Sequence, residues 1–298
     1  MRRRLTLGIP LAAAVAALLT FGLSGPASAI NTYNSQPAPE RTETGAMLVL
    51  QDADGDGTND NFDWWCSGAM IDRNTYLTAS HCVVDWPAGA RFYVSLDQDV
   101  QAELNQAKAL GLSGEAEARW FVDNGHAVEG DPAHDQAYPG DQHDAHDIAV
   151  IDFAHRAVTP ANRWAFKPAT LPTAGKLDAL GSKFLDSSIW TVVGYGTEEA
   201  TTGAGGQTHP GGGVRLKAQL GFDALNDTWV RLAMLESQGY GGACYGDSGG
   251  PNFITINNAL VLAGTTITGD TPCYSTNVIY RLDTPSARSF LAPYVTLP

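Results

Sequence analysis

Short runs rich in Val, Ile, Leu and Thr, separated by Gly, Pro, Asn and Asp, recur along this chain and predict β-structure. They include Met47-Leu48-Val49-Leu50, Phe92-Tyr93-Val94-Ser95-Leu96, Ile148-Ala149-Val150-Ile151, Trp190-Thr191-Val192-Val193 and Leu260-Val261-Leu262-Ala263-Gly264. Two stretches read differently. Gln101 to Trp120 is rich in alanine and glutamate and reads either as an inserted helix or as a loose excursion. Asp283 to Leu291 opens Asp-Thr-Pro and predicts a short C-terminal helix, with acid and proline near its N-terminus.

The N-terminal segment is patterned as an export leader. Arg2, Arg3 and Arg4 form a basic start, Leu5 to Leu23 is apolar, and Ala27-Ser28-Ala29 ends it with small residues, so residues 1–29 are expected to be removed. That apolar run is long enough to raise the alternative of a membrane anchor, against which Gly8, Pro10 and Gly22 count. The leader holds three arginines and no acid, so its loss deepens the formal net charge from −14 to −17. Such a surface repels nucleic acid and anionic lipid. The expected product is a secreted, extracellular, soluble chain of about 269 residues, room for one large or two small domains.

Candidate chemistry centres on Cys244-Tyr245-Gly246-Asp247-Ser248-Gly249-Gly250-Pro251. A serine between glycines can sit on a tight turn, its hydroxyl exposed and nearby N–H groups free to hold an oxyanion. Serine needs a base, and the base needs an orienting group. His81, in Leu77-Thr78-Ala79-Ser80-His81-Cys82, and Asp147, ahead of Ile148-Ala149-Val150-Ile151, supply them in the order His, Asp, Ser. Gly246 to Gly250 also fits G-x-S-x-G, but all seven histidines precede Ser248, which excludes the order of the α/β-hydrolases. The subtilisin order would need an Asp before His81, which Asp72 or the run Asp52 to Asp63 supplies only nominally.

With these residues in hand, the chain resembles secreted bacterial members of the chymotrypsin/trypsin-like serine protease family. The resemblance rests on Cys66-Ser67-Gly68, Ala79-Ser80-His81-Cys82, Asp147-Ile148-Ala149-Val150, Val193-Gly194-Tyr195-Gly196 and Gly246-Asp247-Ser248-Gly249-Gly250-Pro251, in family order across residues 66 to 251. It implies an all-β fold of two antiparallel six-stranded β-barrels with the active site in the cleft between them and a short C-terminal helix. Residues 30–160 would form the barrel carrying His81 and Asp147, residues 161–298 the barrel carrying Ser248, and Val158 to Pro172 the crossover. It implies that His81 is the general base, that Asp147 orients it, and that the N–H groups of Gly246 and Ser248 form the oxyanion hole.

The resemblance carries further expectations. Four cysteines in an exported chain allow two disulfides in three pairings, and the family pattern selects Cys66–Cys82 and Cys244–Cys273. Asp247 would pair with a free α-amino group, for which Ile30 is the residue exposed by leader removal and Thr42, after Arg41, the alternative. Gly242, Ala243 and Gly269 fall at positions lining the pocket for the P1 side chain, the residue before the scissile bond. Gly242 stands where a tryptic enzyme has Asp, so P1 should be non-basic, with a lean to small or medium apolar residues. Three departures stand out: Ser80 in place of Ala, Thr266-Ile267-Thr268-Gly269 in place of Ser-Trp-Gly, and Asn277-Val278-Ile279-Tyr280 in place of Gly-Val-Tyr.

Two acidic insertions remain. Asp52, Asp54, Asp56, Thr58, Asp60 and Asp63 follow the spacing of a calcium loop with Gly57 near its bend, and read either as structural Ca²⁺ ligands or as a solvated acidic loop. Asp123 to His146 carries His126, His134, His143 and His146 and reads as a polar surface loop, with zinc as the alternative. No cofactor is needed for the chemistry. The partners implied are protein or peptide substrates, not nucleic acid, nor membrane once the leader is gone, with the chain acting as a monomer. A catalytically silent protease-like binding module is the competing function, and an esterase on the same fold a third.

Overall fold

The run Thr44–Gln51 is apolar at successive positions because both of its faces are covered. In the computed structural model, which describes residues 30–298 and so not the expected leader, Met47 and Val49 point into one core with Val94, Phe92 and Ile151. Ala46, Leu48 and Leu50 point the other way, into a second cluster with Val100, Leu104 and Phe121. A half-exposed strand would alternate; one buried on both sides reads as a continuous run.

After a two-residue strap, β1 (Gln36–Pro37), the strands β2 (Thr44–Gln51), β3 (Asn61–Met70), β4 (Thr75–Thr78), β5 (Arg91–Ser95), β6 (Val128–His134) and β7 (Ala149–Asp152) follow. The last six close into a barrel in the order β2-β3-β4-β7-β6-β5. The outer cover of β2 comes from α1 (Val100–Ala109) and α2 (Gly114–Asp123), so the stretch Gln101 to Trp120 is a helical insertion. Part of the segment expected to be a polar loop, Asp123 to His146, is β6 itself: Val128 and Gly130 are buried, and the strand pairs with both β5 and β7.

The chain crosses through α3 (Pro160–Arg163), α4 (Lys176–Leu180) and α5 (Ser182–Ser187) to β8 (Trp190–Gly194). A small hairpin of β9 (Thr201–Gly203) and β10 (Gly206–Thr208) precedes β11 (Leu216–Leu225), β12 (Trp229–Ala233), β13 (Pro251–Ile256), β14 (Ala259–Gly269) and β15 (Thr276–Arg281). These form a second antiparallel barrel, in the order β11-β12-β15-β14-β13-β8, closed by pairing of β11 with β8. Thr284 caps α6 (Pro285–Leu291) by accepting from the Ala287 N–H, and Leu291 is buried between the barrels' cores with Leu77 and Val150.

The join between barrels is polar as well as apolar. Arg215, just ahead of β11, is 3 % exposed. Its guanidinium donates to the carbonyls of Ala38 (3.1 Å), Thr44 (2.8 Å) and Leu96 (3.2 Å), tying the strap and two ends of the first barrel to the second. Five fixed donors suit this many-sided task. Arg215→Ala strands buried carbonyls, and we expect it to lower unfolding free energy by about 3 kcal/mol in urea titrations.

Candidate active site

His81 lies on a 3₁₀ turn, Ser80–Cys82, directly after β4, and a disulfide between Cys82 and Cys66 anchors that turn to β3. Asp147 immediately precedes Ile148 and β7, which pairs with β4, so the sheet itself brings acid and base together. His81 Nδ1 is 2.8 Å from Asp147 Oδ2, and the backbone N–H of His81 donates to Asp147 Oδ1 at 3.0 Å. A carboxylate can only accept, so this contact places the proton on Nδ1 and leaves Nε2 as the basic nitrogen.

Ser80 explains its departure from the usual alanine. Its hydroxyl is buried and contacts the carbonyls of His146 (3.0 Å) and Ile148 (2.8 Å), and it accepts from the Ile148 N–H at 3.1 Å. Those groups flank Asp147, whose preceding residue His146 sits at φ 49°. The residue beside the histidine therefore clamps the backbone on both sides of the aspartate. Ile267, in the segment where the family carries serine, has no hydroxyl to offer.

The nucleophile turn is held from three directions. A second disulfide joins Cys244 to Cys273, the Gly249 N–H donates to Thr266 O at 2.7 Å, and the Ser67 N–H donates to Ser248 O at 2.9 Å. Gly246 has φ 92°, and a Cβ there would run into the Trp64 ring. Glycine is thus required by both conformation and space. The N–H groups of Gly246 and Ser248 make no hydrogen bond among the described residues, leaving two donors free to receive an oxyanion.

Between them, Asp247 turns inward and is fully buried. Its Oδ1 accepts from the Gly196 N–H and its Oδ2 from the Cys244 N–H, each at 2.8 Å. Burial pushes its carboxyl up to about 7, and those two hydrogen bonds only partly offset it. Ile30 lies alongside: it is buried in the second barrel's core, and its N–H donates to Gly196 O at 3.2 Å. The next residues are pinned too. The Asn31 N–H donates to Gly242 O, Asn31 Oδ1 accepts from the Gly242 N–H at 2.7 Å, and the Thr32 N–H donates to Glu199 at 2.6 Å.

His81, Gly246 and Ser248 line a cleft of about 620 Å³ together with Trp64, Trp65, Ala243, Tyr245 and the wall Thr266 to Asp270. Of the residues read as pocket-lining, Ala243 and Gly269 face this cleft. Gly242 lies behind it, where a Cβ would meet the Met234 side chain. The glycine-rich stretch Gly203 to Gly213 folds back over the rim, with His209 edge-on to Tyr245 at 4.7 Å between ring centroids.

The acidic loop is brought together only in part. Oxygens of Asp52, Asp54 and Asp56 lie within 4.8 Å of one another, but the Asp52 carboxylate already accepts from the N–H groups of Gly55, Asp56 and Gly57. Asp60 accepts from Ala53 N–H. Asp63 is on β3, 3.5 Å from Lys108, and Thr58 bonds through its N–H to Asp56. Asp52, Asp54 and Asp56 are thus the part of the expected calcium loop that the structure brings together, while Asp63 lies on β3 beside Lys108. Two of the four histidines of the second insertion bond to different acids, His126 to Asp97 and His146 to Asp135, each at 2.8 Å, and Glu103 joins Asp97 around His126.

The family model for trypsin matches residues 38–290. The chain belongs to the trypsin family, a serine endopeptidase family acting on proteins and peptides. A comparison with curated proteins finds no match.

Three residues of the site escaped the sequence reading. In the sequence Ser67 stands only within a motif, and Ser80 and Asn277 only as departures from the family pattern. Short hydroxyl residues beside cysteine and histidine give no signal of where their hydroxyls will point. Ser80→Ala should lower unfolding free energy by about 1–3 kcal/mol, measured by thermal or urea unfolding, with Ser80→Thr intermediate.

Proposed function

We propose that this chain is a secreted serine endopeptidase that cleaves peptide bonds through an acyl-enzyme, with a non-basic P1 preference. The observation that carries the reading is the meeting, in one cleft, of a carboxylate-oriented His81, Ser248 and two unused N–H donors. Ser248 Oγ attacks the scissile carbonyl while His81 Nε2 takes its proton; the tetrahedral oxyanion is received by the Gly246 and Ser248 N–H groups. His81 then passes the proton to the leaving amine, and water repeats the sequence on the ester. Asp147 holds the ring and balances its charge without itself taking the proton.

Secretion is supported by the leader pattern and by two disulfides, which persist in oxidising compartments. Among the described residues no helix is long and apolar enough to cross a membrane. We read Ile30 as the mature N-terminus. The anchoring of residues 30–32 on Gly196, Glu199 and Gly242 places its nitrogen next to the group that donates to Asp247, and a free ammonium there would neutralise a buried carboxylate.

Fluorophosphonate labelling should put one adduct on Ser248, absent in Ser248→Ala; no adduct on Ile30-terminated protein would favour the binding module. Turnover of amide as well as ester substrates separates a peptidase from an esterase. A form kept extended ahead of Ile30 should label much more slowly. Its Asp247 carboxyl, raised from the ordinary 3.8 to about 7, binds its proton more tightly folded than unfolded. The contribution of that carboxyl to stability is full below about pH 4 and is lost as pH rises toward and through 7. The Ile30-terminated form should lack most of that decline, and should lose activity only above the ordinary α-amino value of about 8, because the ion pair with Asp247 favours the ammonium. Melting temperatures of both forms across pH 4–8 check the difference.

A further inference from the structure

Where the family pattern puts the floor of the P1 pocket, the cleft carries polar groups that neither the serine chemistry nor the barrel uses. Asn277, on β15, lines the cleft and is 1 % exposed. Its orientation is fixed by a chain of hydrogen bonds that begins at a backbone carbonyl. Gly250 O can only accept, so the Asn252 group facing it at 3.2 Å is Nδ2. That nitrogen also donates to Thr266 Oγ1 at 2.9 Å. Asn252 Oδ1, on the other side of the amide, must then receive Asn277 Nδ2, at 2.9 Å. What is left over is Asn277 Oδ1. It is buried and accepts from nothing among the described residues.

Thr266, which also lines the cleft, has the opposite need. Its oxygen already accepts from Asn252, and a hydroxyl has one hydrogen to give. No acceptor for that hydrogen is found among the described residues. The floor therefore offers one unfilled acceptor, the Asn277 carbonyl, and one unfilled donor, the Thr266 hydroxyl, both held by the same buried asparagine.

We propose that Asn277 and Thr266 make this pocket selective for a P1 side chain ending in a neutral carboxamide, glutamine first and asparagine second. The proposal rests on the endopeptidase reading of the site. A carboxamide carries one donor group and one acceptor group on a single carbon, and so fills both vacancies at once. Apolar side chains fill neither, and leave a buried carbonyl without a partner. Glutamate brings no donor at neutral pH and would face Asp270, another lining residue. Burial pushes the Asp270 carboxyl up, but the N–H groups of Tyr274, Thr276 and Ser275 outweigh it and keep the group below the usual carboxylate range. Lysine and arginine bring donors only, and so offer the Thr266 hydroxyl no acceptor. Carboxamide selectivity thus replaces the apolar lean that Gly242 and Ala243 alone implied.

The test is a set of fluorogenic peptide amides identical except at P1, with Gln, Asn, Met, Leu, Glu and Arg. The enzyme is the Ile30-terminated protein, its active fraction counted by fluorophosphonate labelling. Glutamine and methionine have nearly the same length, so their ratio isolates the polar terminus. We expect kcat/KM for Gln to exceed that for Met by about tenfold or more, with Glu and Arg below both. Asn277→Gly and Thr266→Val should each collapse the Gln-to-Met ratio toward unity, again per labelled site. Protein that labels on Ser248 yet cleaves after Met or Leu as well as after Gln would overturn the selectivity and leave the protease standing. Absence of labelling would overturn both. The wild-type profile decides the matter even if a variant fails to fold.

Discussion

The nucleophile turn of the second barrel is positioned from the first, through the backbone and hydroxyl of one small residue, Ser67 on β3. Its N–H donates to Ser248 O at 2.9 Å and its hydroxyl to Gly246 O at 2.8 Å. The same oxygen accepts from the Tyr195 N–H at 2.9 Å, and its carbonyl accepts from Thr78 Oγ1, also at 2.9 Å. Thr78 closes the strand that delivers His81, and Tyr195 follows the strand β8. One residue thus fixes the separation of serine, histidine strand and oxyanion turn. A larger side chain would not fit, and a smaller one would leave two buried groups without partners.

Around that junction the site is built from polar groups that are buried and almost fully paired, so each can adopt only one arrangement. Asp147 is satisfied by His81 twice over, and the backbone beside it by Ser80. Asp247 has two N–H partners but no cation among the described residues, and its carboxylate fits because Gly194 and Gly196 carry no Cβ. Asn252 links the nucleophile turn to the pocket floor. The network ends at Asn277, a residue of the cleft lining whose Oδ1 has no partner among the described residues.

Much of the architecture was legible because it follows local rules. The five apolar runs read as strands are all strands, and the short C-terminal helix starts at the proline expected of it. The region Asp123 to His146 was read as a loop because its strand, Val128–His134, contains Asp131 and Pro132 and faces solvent there. Polar residues on an exposed barrel strand erase the pattern that marks buried ones. The calcium-like spacing is subject to a related constraint: a motif fixes which residues are near in sequence, not which neighbours compete for them. Lys108, brought in by α1, holds Asp63, and the loop's own N–H groups hold Asp52.

Sequence by itself determined the family and the barrels, and it singled out His81, Asp147 and Ser248 as candidates, because catalysis restricts residue type and order far more tightly than packing does. It also determined which cysteines are present, and by resemblance how they pair. Tertiary structure alone decided that Ser80 braces the aspartate, that Ser67 joins the barrels, and that Asn252 orients Asn277 in the cleft lining. These are hydrogen bonds between residues separated by 25 to 179 positions. A donor's partner across such a distance is set by how two closed sheets dock, and no local pattern records it.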